Sequence, residues 1–314
     1  MNLTQRRYVW LRRLALTGAA LMLAITSLSA FMRLSGAGLG CAEWPQCYGS
    51  RLRDAQQGLS PTVADSEAVA AARLAHRGIA VLALLVVITM VVLCFGSTPV
   101  LRREGALALW LLALVLGLAV LGRWTAGARV PAVAIGNLLG GLLMLALCWR
   151  LAARRSDLAA TPLRTHMSWA RVGAVLLLAQ VALGAAVSAS YAGLSCGGVG
   201  DCLRAADAAA WPWQILNPWQ EPRFDATPLP LNPGAAIVQL LHRGGAMLVL
   251  VVLLPLGVAL LRGPQRREGA ALLVLLALQI GLGALMVAAS LPLVLALAHN
   301  LVAALLLAVL LRLA

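Results

Sequence analysis

The chain has 314 residues, of which 61% are hydrophobic and 11% are charged, and its formal net charge is +14. Soluble domains carry about 25% charged residues, so this composition excludes an ordinary soluble protein. The apolar residues fall in long blocks, each close to the ~20 residues that a membrane-spanning helix needs. The sequence therefore predicts a polytopic membrane protein.

Eight apolar segments follow one another along the chain. We expect each to be a helix, because backbone exposed to lipid must satisfy its own hydrogen bonds. No small-residue cleavage site follows the first segment, so we interpret it as a membrane span and not as a cleavable signal peptide. The predicted all-α spans are 14–32, 71–95, 106–122, 132–149, 169–190, 234–261, 270–291 and 293–312.

The distribution of arginine predicts the orientation. The chain has no lysine, and 15 of its 25 basic residues fall on the side that carries the N-terminus. Short loops rich in arginine face the cytoplasm, so we expect both termini to be cytoplasmic and the two long loops, 33–70 and 191–233, to lie outside. The positive charge is thus a signal of topology and of contact with anionic lipid, and it does not indicate a nucleic-acid partner.

The second half of the chain repeats the first. The matched stretches are 18–47 with 173–202, 74–78 with 240–244, and 102–105 with 266–269. Four helices return the chain to its starting side, so the two copies must have parallel topology, as in other parallel repeats. We therefore expect two pseudo-symmetric four-helix bundles, formed by residues 1–160 and 161–314.

The six cysteines are of two kinds. Cys94 and Cys148 lie in apolar segments, where a buried small residue is the expected role. The other four form two C-x5-C pairs in the outer loops, Cys41 with Cys47 and Cys196 with Cys202. An oxidising compartment favours disulfides in both pairs. Metal binding is the alternative, although no histidine lies near either pair, and a redox role for the first pair stays open.

Three of the four histidines lie inside apolar segments. His76, His242 and His299 are each six to eight residues from the outer end, so they share a depth of ~10 Å. Ionisable groups at this depth are costly and are usually functional. A neutral histidine bonded to a carbonyl of a neighbouring helix is the structural alternative, but three at one depth favour a site. We expect the fourth, His166, to be a solvated loop residue.

Two histidines on facing helices at one depth suit axial ligation of haem iron inside a bundle. Zinc usually takes further thiolates or carboxylates, and the inner parts of these helices supply none. His242 and His299 are the expected pair in the second bundle.

Arginines follow two of these histidines directly. Arg77 and Arg243 are predicted either to reach the membrane interface or to bind carboxylates such as haem propionates. The same two roles are open to Arg123 and Arg129, near the outer end of the third segment.

With these features, the chain resembles the haem A synthases, a family of proteins that act in cytochrome oxidase assembly. The resemblance covers nearly the whole sequence. It rests on RLSGAGLGC at 33–41, WP at 44–45, CYG at 47–49, HR at 76–77 and 242–243, SYAGLSC at 190–196 and HNL at 299–301.

The resemblance implies an oxidoreductase that converts a methyl group of haem O to the formyl group of haem A. The N-terminal bundle would hold the substrate haem O, and the C-terminal bundle would hold a resident haem B. His242 and His299 match the haem B ligands, His76 matches a substrate-site histidine, and Cys41 with Cys47 matches the outer-loop disulfide. Each of the three histidines would thus bind a haem iron.

The resemblance also predicts the setting of the protein. We expect a multi-pass protein of the bacterial inner membrane, in contact with the lipid bilayer and with its haem O substrate. Haem O synthase, other oxidase assembly factors and further copies of the same chain are the candidate partners.

Two departures from the family pattern fall in the substrate half. Arg73 stands where the family has a glutamate, one helical turn before His76, and Asn137 stands where it has a second histidine. Asparagine forms hydrogen bonds but is a poor ligand for iron. The alternative function is therefore a non-catalytic haem-binding assembly or carrier protein. A transporter is less favoured, because no carboxylate lines a pathway at the midplane of the membrane.

Overall fold

The computed structural model of the protein describes residues 2–34, 67–124, 130–153, 164–190, 192–193, 195–220, 233–289 and 291–314. Within these ranges the regular structure is helical. The α-helices are α1 (Leu3–Leu34), α2 (Glu67–Phe95), α3 (Arg102–Trp124), α4 (Pro131–Ala153), α5 (Arg164–Ala189), α6 (Val199–Ala208), α7 (Ala236–Leu261), α8 (Arg266–Ala288) and α9 (Leu293–Leu313). Two short 3₁₀ helices, Trp213–Leu216 and Pro233–Ala235, follow α6 in the second outer loop.

All the described helices except α6 are long and apolar enough to cross a membrane. These eight candidate spans confirm the predicted all-helical membrane fold. The main difference is at α1, which begins at Leu3 and not near residue 14. Residues 3–13 include no proline or glycine, so nothing stops the helix where its apolar stretch ends.

His166 differs from its predicted place in a solvated loop. It lies in the first turn of α5 and is half-buried. Arg164 and the residues around it are compatible with a helix, so α5 begins before the apolar segment from which its start was predicted.

The helices pack in two groups of four. In the first group, α1 and α3 each pack against both α2 and α4. In the second, α5 and α8 each pack against both α7 and α9. Helix α4 contacts α5 and α9, and α1 contacts α9, so these helices join the groups. A pseudo-symmetric relation between the groups, and a boundary at residue 160, stay predictions.

Three contacts bring together the helix ends that are rich in arginine. Arg7 of α1 is buried and donates hydrogen bonds to Leu93 O at 2.6 and 2.9 Å and to Pro99 O at 2.8 Å, at the end of α2. The other contacts are an ion pair of 3.1 Å between Arg312 and Glu268 and a hydrogen bond of 3.0 Å from Arg171 to Ala314 O. Each contact therefore joins an arginine-rich helix end to its neighbour within one group.

Small residues let the spans approach one another closely. A Cβ built on Gly18 of α1 would lie 3.0 Å from Cys148 Sγ of α4 and 3.4 Å from Met90 Cε of α2. Cys94 and Cys148 are buried and carry free thiols, as expected for small core residues. Membrane helices associate through such close packing, because lipid tails are as apolar as the side chains.

Candidate functional site

One polar residue occupies the same position in four of the spans. His76, Asn137, His242 and His299 are each the seventh residue of a candidate span, the spans being Ala70–Phe95, Pro131–Ala152, Ala236–Leu261 and Leu293–Leu313. At 1.5 Å per residue, each side chain starts about 9 Å from the beginning of its span. All four side chains are half-buried. The three histidines thus have equal positions along their spans, and Asn137 shares that position. Their equal depth in the membrane stays a prediction.

The helices that carry these residues stand diagonally within their groups. Helices α7 and α9 are each flanked by α5 and α8, and α2 and α4 are each flanked by α1 and α3. His242 and His299 therefore start from opposite helices of the second group. His76 and Asn137 have the corresponding places in the first group.

His242 is held by two residues of α5. The Gln180 amide nitrogen lies 3.0 Å from His242 Nδ1 and donates a second hydrogen bond of 2.8 Å to the His242 carbonyl oxygen. One turn further along α5, a Cβ built on Gly184 would lie only 3.0 Å from His242 Cε1. The ring therefore rests on the backbone of α5 with an amide at its edge.

His299 is held in the same way by α8. The Gln279 amide nitrogen lies 2.9 Å from His299 Nε2, and a Cβ built on Gly283 would lie 3.1 Å from His299 Cε1. The other ring nitrogen, Nδ1, is buried and has no hydrogen-bond partner among the described residues. An unpaired imidazole nitrogen at this depth is costly unless a ligand satisfies it.

His76 has a different partner. Its Nε2 lies 2.9 Å from the hydroxyl oxygen of Ser29 on α1. A serine hydroxyl both donates and accepts, so this contact suits either tautomer of the ring. Arg73, one turn earlier on α2, is exposed. The position at which the resemblance expects a glutamate is therefore occupied by an arginine whose side chain is exposed.

The two arginines after the histidines have different surroundings. Arg77 is exposed, whereas Arg243 is half-buried and its guanidinium lies 3.4 Å from Cys202 Sγ and 3.5 Å from the Cys196 carbonyl oxygen. Arg243 thus ties α7 to the second outer loop. The side chains of Arg123 and Arg129 lie outside the described residues.

The second outer-loop cysteine pair forms the predicted disulfide. Cys196 and Cys202 are bonded, with their Cα atoms 4.9 Å apart, and Cys202 lies on α6. Both half-cystines are buried, and α6 packs against α7. The first pair, Cys41 and Cys47, lies outside the described residues, so its disulfide stays a prediction.

The second outer loop also reaches the first group of helices. The backbone nitrogen of Ala132, in the first turn of α4, donates a hydrogen bond of 2.7 Å to Pro218 O. Asn137 lies one and a half turns further along α4. The loop that carries the disulfide is therefore connected to the helix that carries Asn137.

The arrangement at His242 and His299 fits a bis-histidine haem. Two imidazoles from opposite helices have equal positions along their spans, both rings lie against glycine, and one buried ring nitrogen lacks a partner. No group of three or more histidine, cysteine, aspartate or glutamate side chains that could hold a metal occurs in the described part of the chain. This donor set suits an iron that already has a porphyrin more than a bare ion.

Comparison with known proteins agrees with this geometry. The family model described as cytochrome oxidase assembly protein, COX15-CtaA, matches residues 12–311. The chain belongs to this family. It is also 34% identical to the heme A synthase of Shewanella oneidensis over 95% of this chain and 93% of that protein. The match extends through both groups of helices, so the whole membrane domain is shared with the family.

Membership of the family places the chain among multi-pass membrane proteins, in agreement with its eight apolar helices. The contacts around the histidines include residues that sequence reasoning missed, namely Gln180, Gln279 and Ser29. A signal for two of them was present, because a glutamine inside an apolar segment is costly and is usually functional. Both glutamines also precede a glycine by four residues, which places the pair on one face of a helix.

Proposed function

We propose that this protein is a haem A synthase, a membrane oxidoreductase that converts a methyl group of haem O to the formyl group of haem A for cytochrome oxidase assembly. The observation that carries the proposal is the set of three histidines at equal positions along their spans, on a chain that matches the family along almost its whole length. The relative in Shewanella oneidensis, named heme A synthase, supports the same reaction.

In this proposal the second half holds a resident haem B. His242 and His299 would bind its iron from opposite helices, and Gly184 and Gly283 leave room for the two rings. A haem with two histidine ligands supplies one-electron transfer. Arg243 lies directly after His242 and is the nearest candidate to meet a propionate, although its guanidinium also contacts the disulfide.

The first half would bind the substrate haem O through His76. Ser29 holds the imidazole at its Nε2 edge, and Asn137 offers an amide at the same depth from the opposite helix. The iron of the substrate would then have a histidine on one side only. Converting the methyl to a formyl group replaces two hydrogens by one oxygen and removes four electrons, so an electron acceptor is part of the reaction.

The charge distribution and the disulfide support the proposed setting. The arginine-rich helix ends would face the cytoplasm of a bacterial inner membrane, with both termini on that side. The disulfide of the second outer loop agrees with an oxidising outer compartment. Haem would reach the site from the bilayer, and haem O synthase, other oxidase assembly factors and a second copy of the chain are the proposed partners.

A non-catalytic haem carrier is the second candidate, and Asn137 together with Arg73 favours it. Both replace residues that the resemblance associates with the substrate half. A carrier would bind one haem per chain, and that haem would be lost in His242→Ala and in His299→Ala but kept in His76→Ala.

Expression in a bacterial host that makes haem O but lacks its own synthase tests the proposal. The expected result is haem A in the membranes of the wild-type strain, and none with His76→Ala. A His76→Ala strain that makes haem A as the wild type does would remove His76 from the reaction. Haem-loaded wild-type protein without any haem A in the membranes would support the carrier instead.

A further inference from the structure

The two histidines of the second half share a way of being held that the first half lacks. A glutamine amide lies on one nitrogen of each ring, at 3.0 Å for Gln180 and His242 and at 2.9 Å for Gln279 and His299. In both cases the glutamine lies on the helix beside the one that carries the histidine, four residues before the glycine that the ring touches.

Gln180 is itself closely enclosed. Its amide oxygen lies against Gly245 of α7, where any Cβ would overlap it. Its amide nitrogen donates to the backbone oxygen of His242 as well as contacting the ring. Gln180 therefore contacts both the backbone and the ring of His242.

Comparison of the two repeats shows that the pairing of Gln180 with Gly245 occurs only in the second half. Position 180 corresponds to Ile25 at the offset of 155, and Gly245 corresponds to Ile79, the residue after His76-Arg77-Gly78. The glutamine and the glycine that makes room for it are thus both replaced by isoleucine. Gln279 likewise aligns with an apolar residue of the third segment. This is Val115 when 102–105 is matched with 266–269, and Leu118 when Gly122 is matched with Gly283.

We propose that Gln180 and Gln279 are positioning residues, which hold the imidazoles of His242 and His299 so that both can bind one haem iron. This inference rests on the proposed function, since it takes those histidines as the haem B ligands. In the contact seen here the amide nitrogen faces the ring and donates to a ring nitrogen. When the other ring nitrogen binds iron, this one carries the proton, so the amide would turn and accept a hydrogen bond through its C=O. Partners of this kind fix the orientation of a ligating histidine and tune its basicity, and losing one typically costs about 10–100-fold in metal affinity.

A purely structural role is the alternative, and the chain offers a matched control for it. Gln239 also lies on α7, three residues before His242, and it is buried. Its amide donates a hydrogen bond of 2.7 Å to Gly193 O. Among the hydrogen bonds of the described residues, none joins Gln239 to the ring of His242. Gln239→Leu removes a glutamine that is more deeply buried than Gln180 and Gln279, without touching either imidazole.

The test compares Gln180→Leu, Gln279→Leu and Gln239→Leu in the purified haem-loaded protein. Haem affinity is measured from the loss of haem B to a haem-binding competitor, together with the midpoint potential and the electron paramagnetic resonance spectrum of the oxidised iron. We expect about 10–100-fold weaker haem binding for the first two variants, with a shifted potential and altered g values. Gln239→Leu is expected to keep the wild-type potential and spectrum, whatever it does to thermal stability.

Two outcomes would overturn the inference. One is a wild-type affinity, potential and spectrum in Gln180→Leu and Gln279→Leu. The other is an equal change in Gln239→Leu, which would mean that the glutamines act only through the fold. His242→Ala separates these from a failure of the proposed function: if that variant keeps its haem B, the ligand assignment is wrong, and if it loses the haem, only the positioning role is in question.

Discussion

Ser29 and Gly184 occupy the same position in the two copies of the repeat, and each lies against the histidine of its own half. The Ser29 hydroxyl is 2.9 Å from His76 Nε2, and a Cβ on Gly184 would be 3.0 Å from His242 Cε1. The two histidines therefore have equivalent positions in the repeat but different surroundings. His76 contacts a serine hydroxyl, whereas His242 lies against the backbone at Gly184 and contacts the Gln180 amide.

The hydroxyl of Ser29 is expected to affect the conversion of haem O in the first half and not the binding of haem B in the second. Ser29→Ala removes the partner of His76 and should slow the conversion of haem O by about 10-fold, while the haem B content stays at the wild-type level. Ser27→Ala is the control, because two residues along a helix turn the side chain by about 200°. The comparison is made on haem A produced per unit of protein, and an equal loss in both variants would argue against a specific role for Ser29.

Alanine substitutions in α8 test whether the backbone must lie close to the His299 ring. In Gly283→Ala the new methyl group would lie 3.1 Å from His299 Cε1, so the ring must move. In Gly281→Ala no other side chain or helix lies within 4 Å of the new methyl group. We expect the first variant to bind haem B more weakly and to have a changed absorption spectrum, and the second to match the wild type. Identical spectra for the two variants would contradict this placement of the ring.

Arg7 is expected to stabilise the fold without taking part in the reaction. Its guanidinium donates to the carbonyl oxygens of Leu93, Cys94 and Pro99. Arg7→Leu removes this donor from all three, and Cys94 O keeps the Leu101 N–H at 3.0 Å. The expected cost is about 2–3 kcal/mol in the free energy of unfolding. Arg6→Leu, which changes an exposed neighbour, should leave the unfolding midpoint of the detergent-solubilised protein nearly unchanged. A midpoint for Arg7→Leu that equals that of Arg6→Leu would show that this cap contributes nothing.

Removal of the Cys196–Cys202 disulfide should loosen the second outer loop. The bond closes a short loop, for which chain entropy predicts a contribution of about 2 kcal/mol. The double variant Cys196→Ser/Cys202→Ser should therefore unfold at a lower temperature, and it should also become easier to cleave with protease between α5 and α7. Unchanged protease resistance would show that packing of α6 on α7 is sufficient to hold this loop.

Much of the fold was predictable because a bilayer allows few solutions. The eight spans, the equal positions of the histidines along their spans and the Cys196–Cys202 disulfide follow from apolar length, spacing and compartment. The partners of the histidines were not predictable in the same way. Gln180 and Gln279 reach their rings across helix pairs that are distant in sequence, so only tertiary packing decides which residues meet.

The charged residues show the same limit. Arg7 was counted as part of a cytoplasmic positive cluster, yet it is buried against the end of α2. Arg243 was expected at the membrane interface or on a carboxylate, and its contact with the disulfide was not predicted. Topology rules count charges, whereas the contact that each charge makes depends on which helix end lies beside it.

The proposed haem A synthase function is tested most directly by the pigment that the purified protein carries. Wild-type protein is isolated from a host that makes haem O and lacks its own haem A synthase, the haems per chain are counted, and the extracted pigment is identified by mass. We expect haem B in every chain, together with a second pool of haem O and its formyl product haem A. Protein that carries haem B alone, with no formyl product in the pigment or in the membranes, would contradict the synthase.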